Sequence, residues 1–251
     1  IVFGENAANE FDYPKNSLII TTTTPDIYNK WIEYMGITNY EIYDKATPDP
    51  AIETVEQIQQ EFEGKDISTY IGLGGGSSLD ICKYLSKITG IPKILIPTTF
   101  GTGAEMTTYA VISFEHKKKL LQDEAFLADA AIVDPYFLPG TPFNIMRNSA
   151  CDAAAQASEG YDSKLSNPFT KLFCKEAFEI LEGAIINDKP DLLPYGAMLS
   201  GIGFGNSSTT LGHALSYVFS NEGVPHGYSL SSCTTVAHKF NESIFYERFK
   251  K

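Results

Sequence analysis

Apolar residues in the first half of the chain alternate between strand-like runs and helix-like stripes. The β-branched run SLIITTTTP (residues 17–25) predicts a strand, and Thr24 followed by proline predicts the start of a helix that ends at Gly36. The segment DPAIETVEQIQQEFEG repeats this pattern, with Asp49 as the expected helix cap and Gly64 as the expected stop. Each unit therefore contributes one strand or one covering helix.

The same alternation continues to about residue 135, and the pattern then changes. Further strands are expected at STYIGL (68–73), KILIP (93–97) and AAIVDP (130–135), and the helix after the first of these has an apolar stripe of Ile81, Cys82, Leu85 and Ile88. Strands that alternate with helices predict a parallel sheet with helices on both faces. After Pro135, alanine-rich and leucine-rich stretches predict an all-helical part. We therefore expect an α/β domain over residues 1–138 and a helical domain over residues 139–251.

Composition and charge exclude several classes of function. The 251 residues are 43% hydrophobic and 20% charged, which is ordinary for globular domains. A formal net charge of -12 would repel a phosphate backbone, so nucleic acid is not an expected partner. No apolar run approaches the roughly 18 residues of a membrane span, and no export signal opens the chain. The four cysteines are scattered, which indicates free thiols, and we expect a cytoplasmic protein without a membrane partner.

A glycine-rich loop, GLGGGSSLD (72–80), lies between a predicted buried strand and a predicted helix. Such a loop brings backbone amides and the positive end of a helix toward an anion. The candidate contacts with a dinucleotide pyrophosphate are Gly74, Gly75, Gly76, Ser77 and Ser78. The motif lacks the GK[ST] ending of nucleotide-hydrolysing loops, which disfavours an ATPase. A turn that serves packing only is the alternative.

A second loop of similar chemistry, PTTFGTGAE (97–105), follows the next predicted strand. Its hydroxyl groups belong to Thr98, Thr99 and Thr102. Ligands bind at the carboxyl edge of a parallel sheet, so two such loops after consecutive strands favour a nucleotide site more than either does alone.

The ordered motifs GGGSSLD, PTTFGTGAE, AIVDP, CDAAAQASEGYDSKLSNPFT, GHALSY and VPHG resemble the iron-containing (group III) alcohol dehydrogenases and their glycerol dehydrogenase relatives. The resemblance runs through almost the whole chain. It implies the dehydroquinate synthase-like architecture, with an NAD(P)-binding α/β domain, an all-helical domain and a divalent metal in a cleft. It also assigns Asp80, the last residue of the first motif, to the cofactor site.

The resemblance implies a ligand set of Asp152, position 156, His213 and His226. An Asp and a residue four positions later lie on one face of a helix, but position 156 is Gln where the family pattern has His. One carboxylate and two imidazoles still form a competent catalytic site. The loss of an imidazole favours zinc over iron, and Gln156 is expected either to coordinate weakly or to hydrogen-bond the substrate or a water. The alternatives are that Asp152 is a helix cap and that each histidine is structural.

Cofactor preference follows from the end of the first strand. An acid there holds the ribose of NAD, and this chain has Thr22 instead, so NADP is slightly favoured over NAD. Lys119 matches a family lysine near the nicotinamide ribose.

His116 and His238 lie outside the motifs that contain the candidate ligands, and they are interpreted as surface or structural residues.

The expected function is a metal-dependent NAD(P)H oxidoreductase that interconverts a small alcohol and its aldehyde or ketone. Zinc or iron is the expected metal, a small aldehyde or alcohol the substrate, and a homo-oligomer, a dimer, the assembly. The sequence is also compatible with two alternative functions. One is a glycerol-1-phosphate dehydrogenase or 3-dehydroquinate synthase-like enzyme, and the other is a non-catalytic nucleotide-binding module with a decayed metal site. The resemblance also implies further helices beyond ERFKK, so the helical domain is expected to be incomplete at its C-terminus.

Overall fold

The computed structural model describes residues 1–115 and 117–250. His116, interpreted above as surface or structural, lies outside the described residues. The chain forms two compact units. The first comprises residues 1–98 and 104–139, and the second comprises residues 99–103 and 140–251.

The first unit is built on a six-stranded parallel sheet. Its strands are β1 (Val2–Phe3), β2 (Ser17–Ile20), β3 (Tyr40–Tyr43), β4 (Thr69–Gly74), β5 (Lys93–Pro97) and β8 (Ala130–Val133). The strands lie in the order β1-β8-β5-β4-β2-β3, and every pairing is parallel. Every residue of β2, β4 and β5 is buried, as expected when helices cover a parallel sheet on both faces. The predicted strands at 68–73, 93–97 and 130–135 are thus confirmed to within two residues.

The α-helices that accompany this sheet in the described part of the unit are α1 (Pro25–Met35), α2 (Ile52–Glu61) and α3 (Gly76–Thr89). Helix α1 has Thr24 as its N-cap and a left-handed Gly36 after its last residue, as the sequence predicted. The expected start of α2 at Asp49 was wrong. The amide of Ser113 donates to the carbonyl of Pro50 (2.8 Å), and Ala51 forms a β-bridge with Ser113, so the segment before Ile52 is held extended.

The predicted stripe of α3 is correct except at its end. Ile81, Cys82 and Leu85 are fully buried in the core beside the sheet, whereas Ile88 is exposed in the last turn of the helix. The stripe therefore covers the sheet for two turns only.

An antiparallel hairpin and two edge strands were not predicted. The hairpin consists of β6 (Tyr109–Phe114) and β7 (Lys117–Gln122). Strand β7 reads KKKLLQ and has no buried residue, so its pattern gives no apolar face to recognise. Lys117 and Lys119 are exposed, whereas Lys118 is partly buried and its ammonium pairs with Asp49 at 2.7 Å.

A cluster of buried charged residues connects α3 to the segment before β6. The ammonium group of Lys83 donates to the carbonyls of Thr107 (3.0 Å) and Tyr109 (2.7 Å), and the carboxylate of Asp80 accepts from the amide of Val111 (3.0 Å). Burial raises the pKa of Asp80 to about 6 and lowers the pKa of Lys83 to about 8. Glu105 is 4% exposed, and burial raises its pKa to about 7.

The second unit is helical, as expected. Its helices are α4 (Phe143–Asp162), α5 (Pro168–Ile186), α6 (Leu193–Gly205), α7 (Leu211–Ser220), α8 (His226–Phe240) and α9 (Tyr246–Phe249). Within residues 1–115 and 117–250, no helix combines the length and apolar character that a membrane crossing requires. The long helix α4 contacts α5, α6 and α8, so it forms the centre of this unit.

Candidate functional site

Helix α4 carries three polar side chains on one buried face. Asp152, Gln156 and Glu159 are spaced i, i+4 and i+7, which places them one above another along the helix. Their exposed fractions are 5%, 5% and 0%. Because the helix begins at Phe143, Asp152 lies well inside it and is not the helix cap that the sequence allowed. Buried polar groups require partners, so this face must contact other polar groups or a ligand.

Two histidines from separate helices meet Asp152. Oδ1 of Asp152 lies 3.4 Å from Nε2 of His213 on α7 and 3.8 Å from Nε2 of His226, the first residue of α8. One ligand atom from each residue lies within 4.8 Å of the other two. Two ligand atoms that each lie roughly 2.0–2.2 Å from one ion cannot be farther apart than about 4.4 Å, and most pairs are closer, so these separations are of the size that a shared ion requires. The three side chains therefore fit a divalent metal, and the described part of the chain contains no second cluster of this kind.

Two glycines allow α7 and α8 to begin against α4. A methyl group on Gly227 would lie 2.0 Å from the carbonyl oxygen of Asn148, and one on Gly212 would lie 2.4 Å from Oε1 of Glu159. Neither position has room for a side chain. The glycines of GHALSY and VPHG are therefore needed for close packing, which brings the adjacent histidines to Asp152.

Glu159 is a site residue that the sequence reasoning missed. Its carboxylate contacts Nδ1 of His213 at 2.5 Å, on the side of the ring opposite Asp152. Burial by itself would raise the pKa of Glu159, but hydrogen bonds from His213 and Thr210 lower it to about 2. Burial would likewise lower the pKa of His213, but the carboxylates of Asp152 and Glu159 raise it to about 9. The signal was available, since Glu159 is the one acid on the ligand face of an alanine-rich helix seven residues after Asp152.

Gln156 interacts with the carboxylate of Asp152. Its side-chain nitrogen donates to Oδ1 of Asp152 (2.9 Å) and to the carbonyl of Thr102 (3.4 Å). These two acceptors fix which end of the amide is nitrogen. Its Oε1 is buried and has no hydrogen-bond partner among the described residues. An orphan acceptor of this kind costs about 1–3 kcal/mol, which a ligand or a water could recover.

The second histidine has a weaker partner. The hydroxyl of Ser216 donates to the carbonyl of His213 (2.8 Å), and its oxygen lies 3.3 Å from Nδ1 of His226. Because the single hydroxyl proton is used, this oxygen is an acceptor toward the His226 ring. The side chain of His226 is 36% exposed, so the cluster is open to solvent on this side.

The glycine-rich loop lies where a phosphate site was expected. Gly74 ends β4, Gly75 precedes α3, and Gly76 is the first residue of that helix. Among the described residues, no side chain caps the N-terminus of α3. A helix of 14 residues thus starts directly at the carboxyl edge of the sheet with its first amides available to an anion.

The polar residues of this loop have structural contacts as well. The hydroxyl of Ser78 accepts from the amide of Thr22 (3.1 Å), and the hydroxyl of Ser77 accepts from the amide of Asp49 (3.3 Å). The buried carboxylate of Asp80, on α3, accepts from the amide of Val111 on the hairpin strand β6. Ser78 therefore holds the end of β2 beside the loop, which brings Thr22 close to the start of α3.

The remaining predicted residues lie in three places. The amide of Thr98 donates to the carbonyl of Gly74 (3.0 Å), so the second loop starts beside the first, and Thr99 is half-buried. Thr102 belongs to the second unit, where its carbonyl accepts from Gln156. Lys119 is exposed on β7, with its ammonium 5.0 Å from the centre of the Phe114 ring.

His238 is structural, one of the two roles predicted for it. It is fully buried, with Nε2 2.8 Å from the hydroxyl of Ser158 and Nδ1 3.3 Å from a carboxylate oxygen of Asp162. These contacts join α8 to α4.

Comparisons with known proteins identify the family of the chain. The family model of the iron-containing alcohol dehydrogenases matches residues 1–135, and the model of the C-terminal domain of the Fe-containing alcohol dehydrogenase family matches residues 147–251. The 4-hydroxybutyrate dehydrogenase of Clostridium kluyveri is 31% identical over 71% of this chain and 56% of its own length. The sulfoacetaldehyde reductase of Bilophila wadsworthia is 28% identical over 94% of this chain and 70% of its own length.

Solved structures have the same fold. A 1,3-propanediol oxidoreductase aligns with a TM-score of 0.85 and 22% identity, over 94% of this chain and 72% of that one. A sulfoacetaldehyde reductase from Bifidobacterium kashiwanohense, in complex with NAD+, aligns with a TM-score of 0.82 and 23% identity, over 90% and 69%. The chain spans 55% to 70% of the length of four curated relatives that it matches.

Proposed function

The chain belongs to the iron-containing alcohol dehydrogenase family, and on that premise we propose that it is a metal-dependent NAD(P)H oxidoreductase interconverting a small alcohol and its aldehyde or ketone. One observation carries the proposal. Asp152, His213 and His226 come from three different helices, and their ligand atoms converge within 4.8 Å. Such convergence of one carboxylate and two imidazoles is the donor set of a catalytic metal site with open positions.

In this proposal the ion is held by Oδ1 of Asp152 and by Nε2 of each histidine. When bound, the ion supplies Lewis acidity at the oxygen of the substrate. Gln156 orients Asp152 through its side-chain nitrogen and presents Oε1 as an acceptor for the hydroxyl of an alcohol. Gln156 is therefore proposed as a substrate contact and orienting residue, with weak coordination as the alternative.

The nicotinamide dinucleotide is proposed to bind at the glycine-rich loop and the second loop. Its pyrophosphate would be held by the first amides of α3, and the further candidate contacts in the first unit are Ser77, Thr98 and Lys119. The carboxylate of Asp80 is instead occupied by the amide of Val111. The NAD+ complex of the Bifidobacterium reductase supports this class of cofactor. Thr22, beside the start of α3, has no carboxylate to repel a 2′-phosphate, which supports use of NADP.

The names of the relatives support a small substrate. They include a 4-hydroxybutyrate dehydrogenase, a sulfoacetaldehyde reductase and a 1-propanol dehydrogenase. A short aldehyde or its alcohol is the proposed substrate class. A cytoplasmic homodimer is the proposed state, and light scattering of the purified protein tests whether it is a dimer.

The deciding experiment combines metal analysis with turnover. The purified protein is assayed for zinc and iron, and oxidation of NADH and NADPH is followed with short aldehydes before and after treatment with a chelator. We expect bound metal, turnover that chelation removes, and recovery on adding back Zn²⁺ or Fe²⁺. Asp152→Asn is the matched inactive variant. No metal and no turnover in the wild type would instead support a non-catalytic nucleotide-binding module.

A further inference from the structure

Glu159 has more hydrogen-bond partners than any neighbouring acid of α4 among the described residues. Its side chain is fully buried. One oxygen accepts from the hydroxyl of Thr210 (2.9 Å) and the amide of Gly212 (2.5 Å). The other accepts from the amides of Thr210 (3.2 Å) and His213 (3.2 Å) and contacts Nδ1 of His213 (2.5 Å). A single carboxylate thus engages both the backbone and the ring of one histidine.

The backbone contacts serve as the cap of α7. The N-cap residue of α7, Thr210, makes no side-chain cap of its own. Its role is taken by Glu159, a residue of another helix, which accepts from three of the first backbone amides. A negative charge is favourable at this end of a helix. The start of α7 is therefore fixed relative to α4 by the same group that contacts the His213 ring.

We propose that Glu159 is a positioning residue of the metal centre, an inference that rests on the metal site of the proposed function. Nδ1–H of His213 donates to the carboxylate, which leaves Nε2 as the only ring atom that can bind a metal. Nε2 is the atom that lies 3.4 Å from Asp152. A carboxylate behind a histidine ligand fixes the ring and strengthens its donation to the metal. Glu159 itself contacts neither the ion nor the substrate.

The two histidines differ in this respect, and the difference provides an internal comparison. His213 has a buried carboxylate behind its ring, whereas His226 has the neutral hydroxyl of Ser216 at 3.3 Å. A charged acceptor forms the stronger hydrogen bond. Loss of the Glu159 charge is therefore expected to weaken metal binding more than loss of the Ser216 hydroxyl.

The test measures zinc affinity by competition with a chromophoric chelator, independently of activity. Glu159→Gln keeps the size of the side chain and removes its charge, and we expect zinc affinity to fall by about 10- to 100-fold. Thr210→Ala removes one donor to the same carboxylate and leaves the ring contact intact, so it is expected to bind zinc like the wild type. Circular dichroism of each variant confirms that the helical unit is folded.

The outcomes separate the two proposals. If the wild type binds zinc and Glu159→Gln binds equally well, the role of Glu159 is wrong and the metal site stands. If the wild type binds neither Zn²⁺ nor Fe²⁺, the proposed function fails.

A measurement on the wild type decides the matter should Glu159→Gln not fold. Long-range ¹H–¹⁵N spectra of the zinc-loaded protein identify which nitrogen of His213 carries the proton. A proton on Nδ1 with zinc on Nε2 supports the proposal, and the reverse assignment overturns it.

Discussion

The side-chain nitrogen of Gln156 donates a 2.9 Å hydrogen bond to Oδ1 of Asp152, the same oxygen that lies nearest both histidines. The family pattern that the sequence resembles has a histidine ligand at position 156. The glutamine thus hydrogen-bonds the carboxylate that we propose as a metal ligand, from the position where the family pattern has a fourth ligand.

Exchange of Gln156 for histidine is predicted to strengthen metal binding. Gln156→His adds an imidazole one helical turn from Asp152, so metal affinity should rise by about tenfold or more. Gln156→Ala removes the hydrogen bond to Asp152 without adding a ligand, and affinity should fall. Both changes are measured by chelator competition. Equal affinity in all three proteins would show that position 156 has no part in the site.

Removal of the charge at Asp152 should abolish metal binding. Asp152→Asn keeps the shape of the side chain but replaces the anionic oxygen that both histidines face. We expect at least about a 100-fold loss of zinc affinity and a matching loss of turnover, because the carboxylate is the only anionic ligand. Nucleotide binding, measured by fluorescence titration with NADPH, should be retained. Metal binding that survives this change would refute the ligand set.

Cofactor preference is predicted to respond to position 22. Thr22→Asp introduces an acid beside the start of α3, where it repels the 2′-phosphate of NADP and can accept from the ribose of NAD. The ratio of kcat/KM for NADPH to that for NADH should fall by about tenfold. Thr23→Asp, one residue farther along, serves as the position control. An unchanged ratio in Thr22→Asp would place the adenosine ribose elsewhere.

A pair of glycine substitutions tests the packing of α8. Gly227→Ala places a methyl group 2.0 Å from the carbonyl oxygen of Asn148 and should destabilise the helical unit by about 3 kcal/mol or more. Gly183→Ala on α5 meets nothing within 4 Å and should stabilise that helix by about 0.5–1 kcal/mol. Thermal unfolding followed by circular dichroism at 222 nm compares the two. Similar melting of both variants would contradict the close approach.

The pH dependence of stability is predicted from Glu105. Its pKa is about 7 in the folded protein against 4.5 for the model compound, so the folded state holds the proton more tightly. The associated stability is complete below about pH 4.5 and is lost as pH rises through about 7, by up to about 3 kcal/mol. Glu105→Gln should flatten this loss between pH 5 and pH 8, whereas the exposed Glu53→Gln should not. Urea unfolding monitored by Trp31, which packs on Phe137 at a ring distance of 5.6 Å, measures it.

The sheet could be predicted from sequence because its central strands are uninterrupted apolar runs. KILIP is both the predicted and the observed extent of β5. The hairpin could not be predicted, since β7 has no buried residue and therefore no alternation of buried apolar and exposed polar positions. The start of α2 was mistaken because a distant strand, through Ser113, decides the conformation of residues 50 and 51.

Some residues of the candidate site could likewise be predicted from sequence, and others could not. The motifs identified Asp152, His213 and His226, whose convergence depends on tertiary structure. Glu159 escaped notice because the spacing argument stopped at i+4, although i+7 continues the same face. The unpaired oxygen of Gln156 could not be foreseen, because its state depends on Thr102, which is remote in sequence.

The alanines of α4 limit how the protein can be engineered. Ala153, Ala155 and Ala157 are completely buried between neighbouring helices, so larger side chains there have no space to enter. Libraries that seek new substrate range should leave this helix unchanged and diversify the solvent-facing residues around the partly exposed His226.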